Sequence, residues 1–225
     1  MALEATTQRR ILTHAVLSAL ALLIPIPFLD DMVVDYFRRR LVRRLSAERG
    51  VPLSEEDVRS LADDESKGCL PGCLGSVLLY PVKKIFRQIF FFLEWKRAGD
   101  LVSTVYHRGV LLDHAMETGR LGPKSAAEVR AAMDAVLAET PVGPVEVAVR
   151  GVFGQSKSAI KGGVAILGNA LRGREKQPEQ VAGAVEAVEA EEERQISGVV
   201  DSLQQRLAAV PDEHFRSMRE RLSAR

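Results

Sequence analysis

The longest uncharged stretch of this 225-residue chain reads ILTHAVLSALALLIPIPFL (residues 11–29). Its length approaches the roughly 20 apolar residues that cross a bilayer. However, Pro25 and Pro27 should end a helix near Leu23, because proline lacks an amide donor and clashes with the preceding turn. No small residues of a signal-peptide cleavage site follow it. We therefore favour a buried helix, a proline turn and a second helix capped by aspartate. A membrane span or re-entrant hairpin and an export signal are the alternatives.

The second predicted helix, over about 31–49, combines an apolar stripe with a cluster of arginines. Its apolar residues recur at helical spacing and comprise Val33, Val34, Phe37, Leu41 and Leu45. Five arginines lie within positions 38–44. The simpler interpretation is a solvated basic face. The other is attraction to anionic lipid or to an acidic partner, with Arg39 and Arg43 as contact residues.

Helical patterns separated by glycine and proline account for the rest of the chain. The breaks fall at 50–52, 68–75, 122–123 and 140–144. A long helix is predicted over about 81–117 and another over 145–171, and Ser125 and Glu128 match the pattern of a capping box. No segment alternates convincingly at period two. We therefore predict an all-α fold, an antiparallel helical bundle of about eight helices with a more separable C-terminal helical hairpin.

Three segments are expected within this bundle. Residues 1–122 would hold the N-terminal hairpin and the long helix, and residues 123–173 a second hairpin with a helix rich in glycine and alanine. Residues 174–225 would hold an acidic helix with heptad-like spacing, interrupted by Glu192, and a short basic helix. The two ends of the chain should therefore present surfaces of different charge.

Composition excludes several classes of function. The chain has 31 basic and 30 acidic residues, so no net positive field draws it to nucleic acid. Its two cysteines, Cys69 and Cys73, are too few for a disulfide scaffold and indicate a reducing compartment. Their spacing, without a second pair or a nearby histidine, fits neither a zinc knuckle nor a thioredoxin-like redox pair. We expect both thiols to pack as small apolar side chains.

Two patterns resemble ligand sites, and neither fits completely. GVFGQSKS (151–158) matches the phosphate-loop pattern except at Ser156, where the tight curl needs glycine, and no further strands supply a sheet. An amphipathic helix explains it better. Asp100, His107 and His114 recur every seven residues, about 10 Å apart along a helix, too far to converge on a metal. We interpret them as a solvated face. We predict no catalytic residue, nucleotide, cofactor or metal, and no enzyme.

The sharpest positive signal is the aromatic–basic segment, residues 80–97, which holds half of the chain's aromatic residues interleaved with lysine and arginine. On a helical wheel, Leu93 belongs to an arc that suffices for core packing, whereas Phe91 and Trp95 lie opposite, beside cations. Exposing such rings costs roughly 1.5–3 kcal/mol each. A layer of helices, a bilayer surface or a protein partner should therefore cover them. The predicted contact residues are Lys83, Lys84, Arg87, Phe91 and Trp95.

The N-terminal half of the chain resembles a known family. The run IPIPFLD (24–30), the arginine-rich helix after it and RGVPLS (49–54) are similar to a bacterial, membrane-associated helical family of unknown function. Members of that family are often fused behind Era-like GTPase domains. Thr104 and Gly109 echo its later threonine–glycine helix, while the clustered arginines and the C-terminal half depart from it. The resemblance implies inner-membrane association and transfers no catalytic residue.

Together these features predict a non-enzymatic helical protein on the cytoplasmic face of a bacterial membrane. Contact would be peripheral, through the hairpin at 6–49 and the aromatic–basic segment, and the acidic helix at 177–208 would recruit a protein partner. The alternative is a soluble scaffold that associates with copies of itself through its apolar surfaces. Localisation is expected to be cytoplasmic, with or without inner-membrane attachment.

Overall fold

The computed structural model describes residues 3–24, 29–63, 83–122, 124–173 and 178–225, and for 29–30, 83–92 and 178–179 it describes the helical backbone alone. These residues form helices and connecting turns, with no strand among them, as the all-α prediction requires. The helices are α1 (Ala5–Leu22), α2 (Leu29–Arg49), α3 (Glu55–Ala62), α4 (Lys83–Glu117), α5 (Ala126–Ala138), α6 (Gly143–Gln155), α7 (Lys157–Leu171), α8 (Pro178–Leu207) and α9 (Asp212–Ser223).

Helix α1 lies at the centre of the bundle, where α2, α4, α7 and α8 surround it. Every residue from Ile11 to Ala21 except Thr13 is buried. Burial stabilises each large aliphatic side chain by roughly 1.5–3 kcal/mol. Packing within the protein is therefore enough to explain why this stretch is apolar. The favoured interpretation of a buried helix is confirmed for residues 11–24. The proline turn at 25–28 lies outside the described residues.

Ion pairs join the ends of α1, α2 and α4. Arg10 near the start of α1 pairs with Glu48 near the end of α2, so the two helices run antiparallel. Arg49 donates two hydrogen bonds to Asp113 of α4, from Nε to Oδ1 at 2.7 Å and from Nη2 to Oδ2 at 2.8 Å. Asp113 is almost fully buried. Breaking such a buried pair costs about 3–5 kcal/mol, because it leaves an uncompensated charge.

Helix α4 runs unbroken for 35 residues, a length of about 52 Å. Gly109 permits the close crossing with α1: a Cβ there would lie 2.5 Å from Ile11 Cγ2. Gly99 lies inside the helix and faces Val149 of α6. One rigid helix therefore connects the aromatic–basic segment to the core around α1.

The predicted helix over 145–171 is two helices, α6 and α7. Between them, Ser156 has φ −100° and ψ 22°, so the backbone leaves helical geometry there. This break explains why the described residues form nine helices where about eight were predicted. The stretch 151–158 spans this helix–helix junction rather than the strand-to-helix turn that a phosphate loop needs.

The C-terminal helices share the core of the rest. Helix α8 packs against α1, α2, α6 and α7, and α9 packs against α4 and α5. Their buried residues join those of α1 in one hydrophobic cluster. The predicted capping box is confirmed, since Ser125 Oγ accepts from the Glu128 amide and Glu128 Oε2 accepts from the Ser125 amide. Helices α8 and α9 are thus integrated with the α1 core.

Candidate functional site

Residues 83–97 of the aromatic–basic segment form the first turns of α4. The side chains of Lys83, Lys84, Arg87 and Phe91 lie outside the described ones. Trp95 is partly buried against the core, and its ring meets that of Phe153 edge-on, with centroids 5.8 Å apart. Helix α6 therefore covers the one described ring of the predicted outer arc.

Leu93, in contrast to Trp95, is not covered by another of the described helices, and 46% of its surface is exposed. The wheel assigned it to the core arc, and that assignment is wrong because α6 packs on the Trp95 side of α4 instead. Lys96 and Arg97, three and four residues later, are exposed neighbours of Leu93 on the helix surface. Arg97 also pairs with Glu94 at 3.1 Å. An apolar side chain with adjacent cations therefore faces solvent.

We define the Leu93 face as exposed Leu93 with its exposed neighbours Lys96 and Arg97 on α4. The other large hydrophobic side chain exposed among the described residues, Val147 on α6, is 71% exposed.

The arginines predicted to meet lipid are held by carboxylates. Arg39 forms a forked pair with Asp63, Nη2 lying 2.9 and 3.1 Å from its two oxygens. Arg43 Nη2 donates to Glu55 Oε2 at 2.6 Å. Their charges are compensated within the protein, which weakens their attraction to an anionic surface. In addition, no described helix is both long and apolar enough to cross a membrane.

A groove of about 940 Å³ separates α4 from α9, and beside it two histidines meet. His107 Nε2 lies 3.0 Å from His214 Nε2, and His107 Nδ1 donates to the Ser103 carbonyl at 2.7 Å. His107 is fully buried. Its interpretation as part of a solvated face is therefore wrong, because α9 packs over this side of α4. The pattern of one helix could not reveal that covering layer.

The histidine pair joins the two helices in its neutral form. Burial lowers the pKa of His107 to about 4. Burial, and then Arg221, also lower the pKa of His214. With its Nδ1 proton donated to a carbonyl, neutral His107 accepts at Nε2 from His214. Among the described residues, no three histidine, cysteine or carboxylate side chains gather as a metal site.

A second, smaller cavity of about 360 Å³ lies between α1, α2 and α8, and we name it the His14 pocket. Its lining residues are Thr6, Arg9, Arg10, Thr13, His14, Arg44 and Glu193. His14 is almost fully buried, and its Nδ1 donates to the Arg10 carbonyl at 3.0 Å. Its Nε2 is buried and has no hydrogen-bond partner among the described residues. Burial is the largest effect on its pKa and lowers it to about 4, so the ring is neutral.

Glu192 of α8 is another buried polar group. Neither of its carboxyl oxygens has a hydrogen-bond partner among the described residues, and the residue has no exposed surface. Burial, followed by repulsion from Glu189 and Glu191, raises its pKa to about 8. The carboxyl is therefore protonated at neutral pH, the form that burial favours.

His14 and Glu192 both left a signal in the sequence. Each interrupts an apolar pattern, the uncharged run at 11–29 and the heptad-like spacing of α8. Their partners could not be read from it, because the pocket joins residues such as Arg10, Arg44 and Glu193 from three helices far apart in the chain. No protein-family model, curated protein or solved structure matches this chain.

Proposed function

We propose that this chain is a non-enzymatic helical protein that attaches peripherally to an anionic membrane surface through the Leu93 face of α4. One observation carries the proposal: Leu93 is 46% exposed beside exposed Lys96 and Arg97. Among the described residues, the bundle otherwise leaves only Val147 as a large exposed hydrophobic side chain. An exposed apolar side chain beside cations has the chemistry that binds the headgroup region of an anionic leaflet.

The magnitudes fit reversible attachment. Burying one leucine in the headgroup–acyl boundary contributes roughly 1.5–3 kcal/mol, and each cation near an anionic leaflet adds about 1 kcal/mol. Because Leu93 is already about half buried and Arg97 pairs with Glu94, Leu93 and Lys96 together supply roughly 2 kcal/mol on these values. That is enough for a partition that salt and one substitution can reverse, and far below the anchoring of a spanning helix.

The proposal gives the N-terminal hairpin a structural role. Moving α1 into lipid would remove it from the four helices that bury it. Arg39 and Arg43 each already pair with a carboxylate, so the proposal gives them a smaller share of the attraction to lipid. The resemblance of residues 24–54 to a membrane-associated bacterial family supports the cytoplasmic face as the location.

Vesicle flotation of the full chain tests the proposal. The protein should float with vesicles of phosphatidylcholine and phosphatidylglycerol, and less with phosphatidylcholine alone or in high salt. Leu93→Asp should reduce binding at least about tenfold, because it replaces the apolar contact with a charge that the leaflet repels. The matched control is Val147→Asp, which makes the same change at the exposed hydrophobic residue of α6 and should float like the parent chain.

Two outcomes would overturn the proposal. One is a folded parent protein that stays in the lipid-free fraction. The other is equal loss of flotation in Leu93→Asp and Val147→Asp, since the Leu93 face would then carry no special role. If the parent is instead a defined oligomer by light scattering, and Leu93→Asp alone dissociates it, the face binds a second copy and the scaffold alternative replaces membrane attachment.

A further inference from the structure

The geometry points to an acid-released helix: protonation of the His107–His214 pair detaches α9 from α4 and uncovers the apolar side chains between them. The chain has four histidines. Three of them lie where α9 meets α4, namely His107, His114 and His214. None of the three belongs to the Leu93 face, so the inference does not depend on membrane attachment.

Helix α9 has a small apolar contact with the bundle. Among the described helices it packs against α4 and α5, and its own buried residues are Met218 and Leu222. Polar bonds add to this contact, since Arg221 donates to the Glu139 carbonyl at 3.0 Å. Elements with few buried apolar side chains open locally at a fraction of the global free energy of unfolding. Release of α9 can therefore occur while the rest of the bundle stays folded.

The histidine pair joins α9 to α4 through one shared proton. His107 Nδ1 donates to the Ser103 carbonyl, so neutral His107 offers the lone pair of Nε2 to the N–H of His214. The two Nε2 atoms lie 3.0 Å apart, and the ring centroids 5.3 Å apart. A proton added to His107 Nε2 would set two N–H donors against each other and break the bond. A proton added to His214 Nδ1 keeps the bond but places a cation near Arg221.

The surroundings of the pair oppose its protonation while α9 is docked. Burial is the largest effect on His107, His214 adds to it and the Ser103 carbonyl acts against it, so that the pKa of His107 is about 4. Burial, and then Arg221, lower the pKa of His214. Release of α9 removes this burial, so both pKa values should rise toward the ordinary value of 6.5. Acid therefore favours the released state.

The neighbouring elements supply charges that are already engaged. On α5, Glu139 accepts from Arg225 at 2.5 Å. On α9, Glu213 precedes His214 and pairs with Arg216. On α4, burial raises the pKa of Tyr106 to about 12, so the phenol beside the pair is neutral. Among the described residues, every charge that shifts the pKa values of the pair acts against protonation.

His114 adds a dependence of the same sign. Its Nε2 lies 2.9 Å from Ser223 Oγ of α9. Burial, and then Arg219 of α9, lower its pKa, while Glu117 on its own helix raises it. A hydroxyl can accept from a protonated ring as well as donate to a neutral one, so this contact can persist in acid. The histidine pair is therefore the contact that acid breaks.

Hydrogen exchange of the full chain, corrected for the intrinsic pH dependence of amide exchange, tests the release. A ring whose pKa rises from about 4 to about 6.5 favours release about thirtyfold more at pH 5 than at pH 7.5. Protection of the amides at 212–223 should therefore fall at least about tenfold, whereas the amides of α1 should not lose protection. Unchanged protection of α9, or parallel losses in α1 and α9, would overturn the inference.

Two buried histidines provide matched variants. His107→Gln should reduce the loss of α9 protection to less than about threefold, because the glutamine oxygen can accept from His214 and does not titrate. The control is His14→Gln. His14 is equally buried and also has a pKa of about 4, but it lies on α1, so this variant should keep the tenfold loss. Equal behaviour of the two variants would contradict the inference. Leu93→Asp should release α9 like the parent chain, which separates this test from that of membrane attachment.

A measurement on the parent chain keeps the test independent of how well His107→Gln folds. Spectra of the ¹⁵N-histidine-labelled chain at pH 7.5 should show both rings neutral, with the proton of His107 on Nδ1 and that of His214 on Nε2. At pH 5, protonated His107 should appear only to the extent that the α9 amides have lost protection. Fully protonated His107 in a chain whose α9 amides stay protected would refute acid release.

Discussion

The α1–α2 hairpin and the first turns of α4 look alike in the sequence, since both combine an apolar run with clustered cations. In the structure, however, one is buried and the other is partly exposed. Helix α1 is enclosed by four helices and the predicted lipid contacts Arg39 and Arg43 are paired. On α4, Leu93 is exposed beside Lys96 and Arg97. The comparison teaches that burial depends on which helices are available to cover a face, not on how apolar the face is.

The largest expected difference comes from placing one charge in each region. Leu17→Asp in α1 buries a carboxylate at a position with no exposed surface and should destabilise the fold by about 5 kcal/mol or more, enough to unfold many domains. Leu93→Asp should change the free energy of unfolding by less than about 0.5 kcal/mol. Urea denaturation followed by circular dichroism measures both. A stable Leu17→Asp protein would show that α1 is not the core.

The second-largest effect is expected from Glu192 on α8, the helix that packs against the hairpin, and it concerns the pH dependence of the free energy of unfolding. Its pKa is about 8 when folded against 4.5 as the ordinary value. Between these values the unfolded chain loses its proton first, so the free energy of unfolding should fall as pH rises from about 5 to 8, by roughly 3–5 kcal/mol. Glu192→Gln should remove this dependence, while Glu186→Gln, exposed on the same helix, should retain it. Urea midpoints at pH 5, 6.5 and 8 measure the slope, and parallel slopes for parent and Glu192→Gln would contradict the assignment.

Two glycines of α4 test how tightly each half of that helix is covered. Gly109→Ala places a Cβ 2.5 Å from buried Ile11, whereas at Gly99 the nearest atom would be Val149 Cγ1 at 3.8 Å. Overpacking should outweigh the gain in helix propensity, so Gly109→Ala should lose about 1–2 kcal/mol. Gly99→Ala should be neutral or stabilising by up to about 1 kcal/mol. Thermal melts compare them, at about 2–4 °C per kcal/mol, and equal shifts would refute the contrast.

The smallest effect is expected at Arg43. Its pair with Glu55 is exposed, so Arg43→Gln should cost at most about 0.5 kcal/mol and should leave vesicle flotation unchanged. A loss of flotation in Arg43→Gln would show that the basic face of α2 also contacts the membrane. The two regions would then not differ in this respect.

The parts of the fold that local physics determines were predictable. Proline, glycine and capping residues located most helix ends, and the apolar run of α1 with its prolines correctly indicated a buried helix. The predictions failed where the environment of a residue depends on a second helix that packs against its own. Leu93 and His107 were assigned to the wrong environments because α6 and α9 cover α4 from sides that a single helical wheel cannot know. Ser156 was missed as a helix break because a single serine, although a preferred N-cap residue, also occurs inside helices, and here its side chain makes no capping hydrogen bond.

The candidate sites follow the same division. A polar residue inside an apolar pattern, such as His14 or Glu192, can be noticed from the sequence. Its surroundings cannot, because the pocket around His14 is assembled from α1, α2 and α8. Of the predicted contact residues, only Trp95, Arg39 and Arg43 have described side chains, and each is engaged within the protein. The contact role of the remaining lysines, Arg87 and Phe91 stays a prediction.

The central position of α1 has a consequence for biosynthesis. Gln204 of α8 donates to the Ala5 carbonyl across 199 residues of chain, so α1 meets its last neighbour only after most of the polypeptide has been made. At about 5–20 residues per second, that interval is roughly 10–40 s on the ribosome, during which α2, then α4 and then α7 become available to cover α1. Contacts of such long sequence separation slow folding. The nascent chain should therefore depend on chaperones, and translation speed should change the yield of native protein more than its final stability.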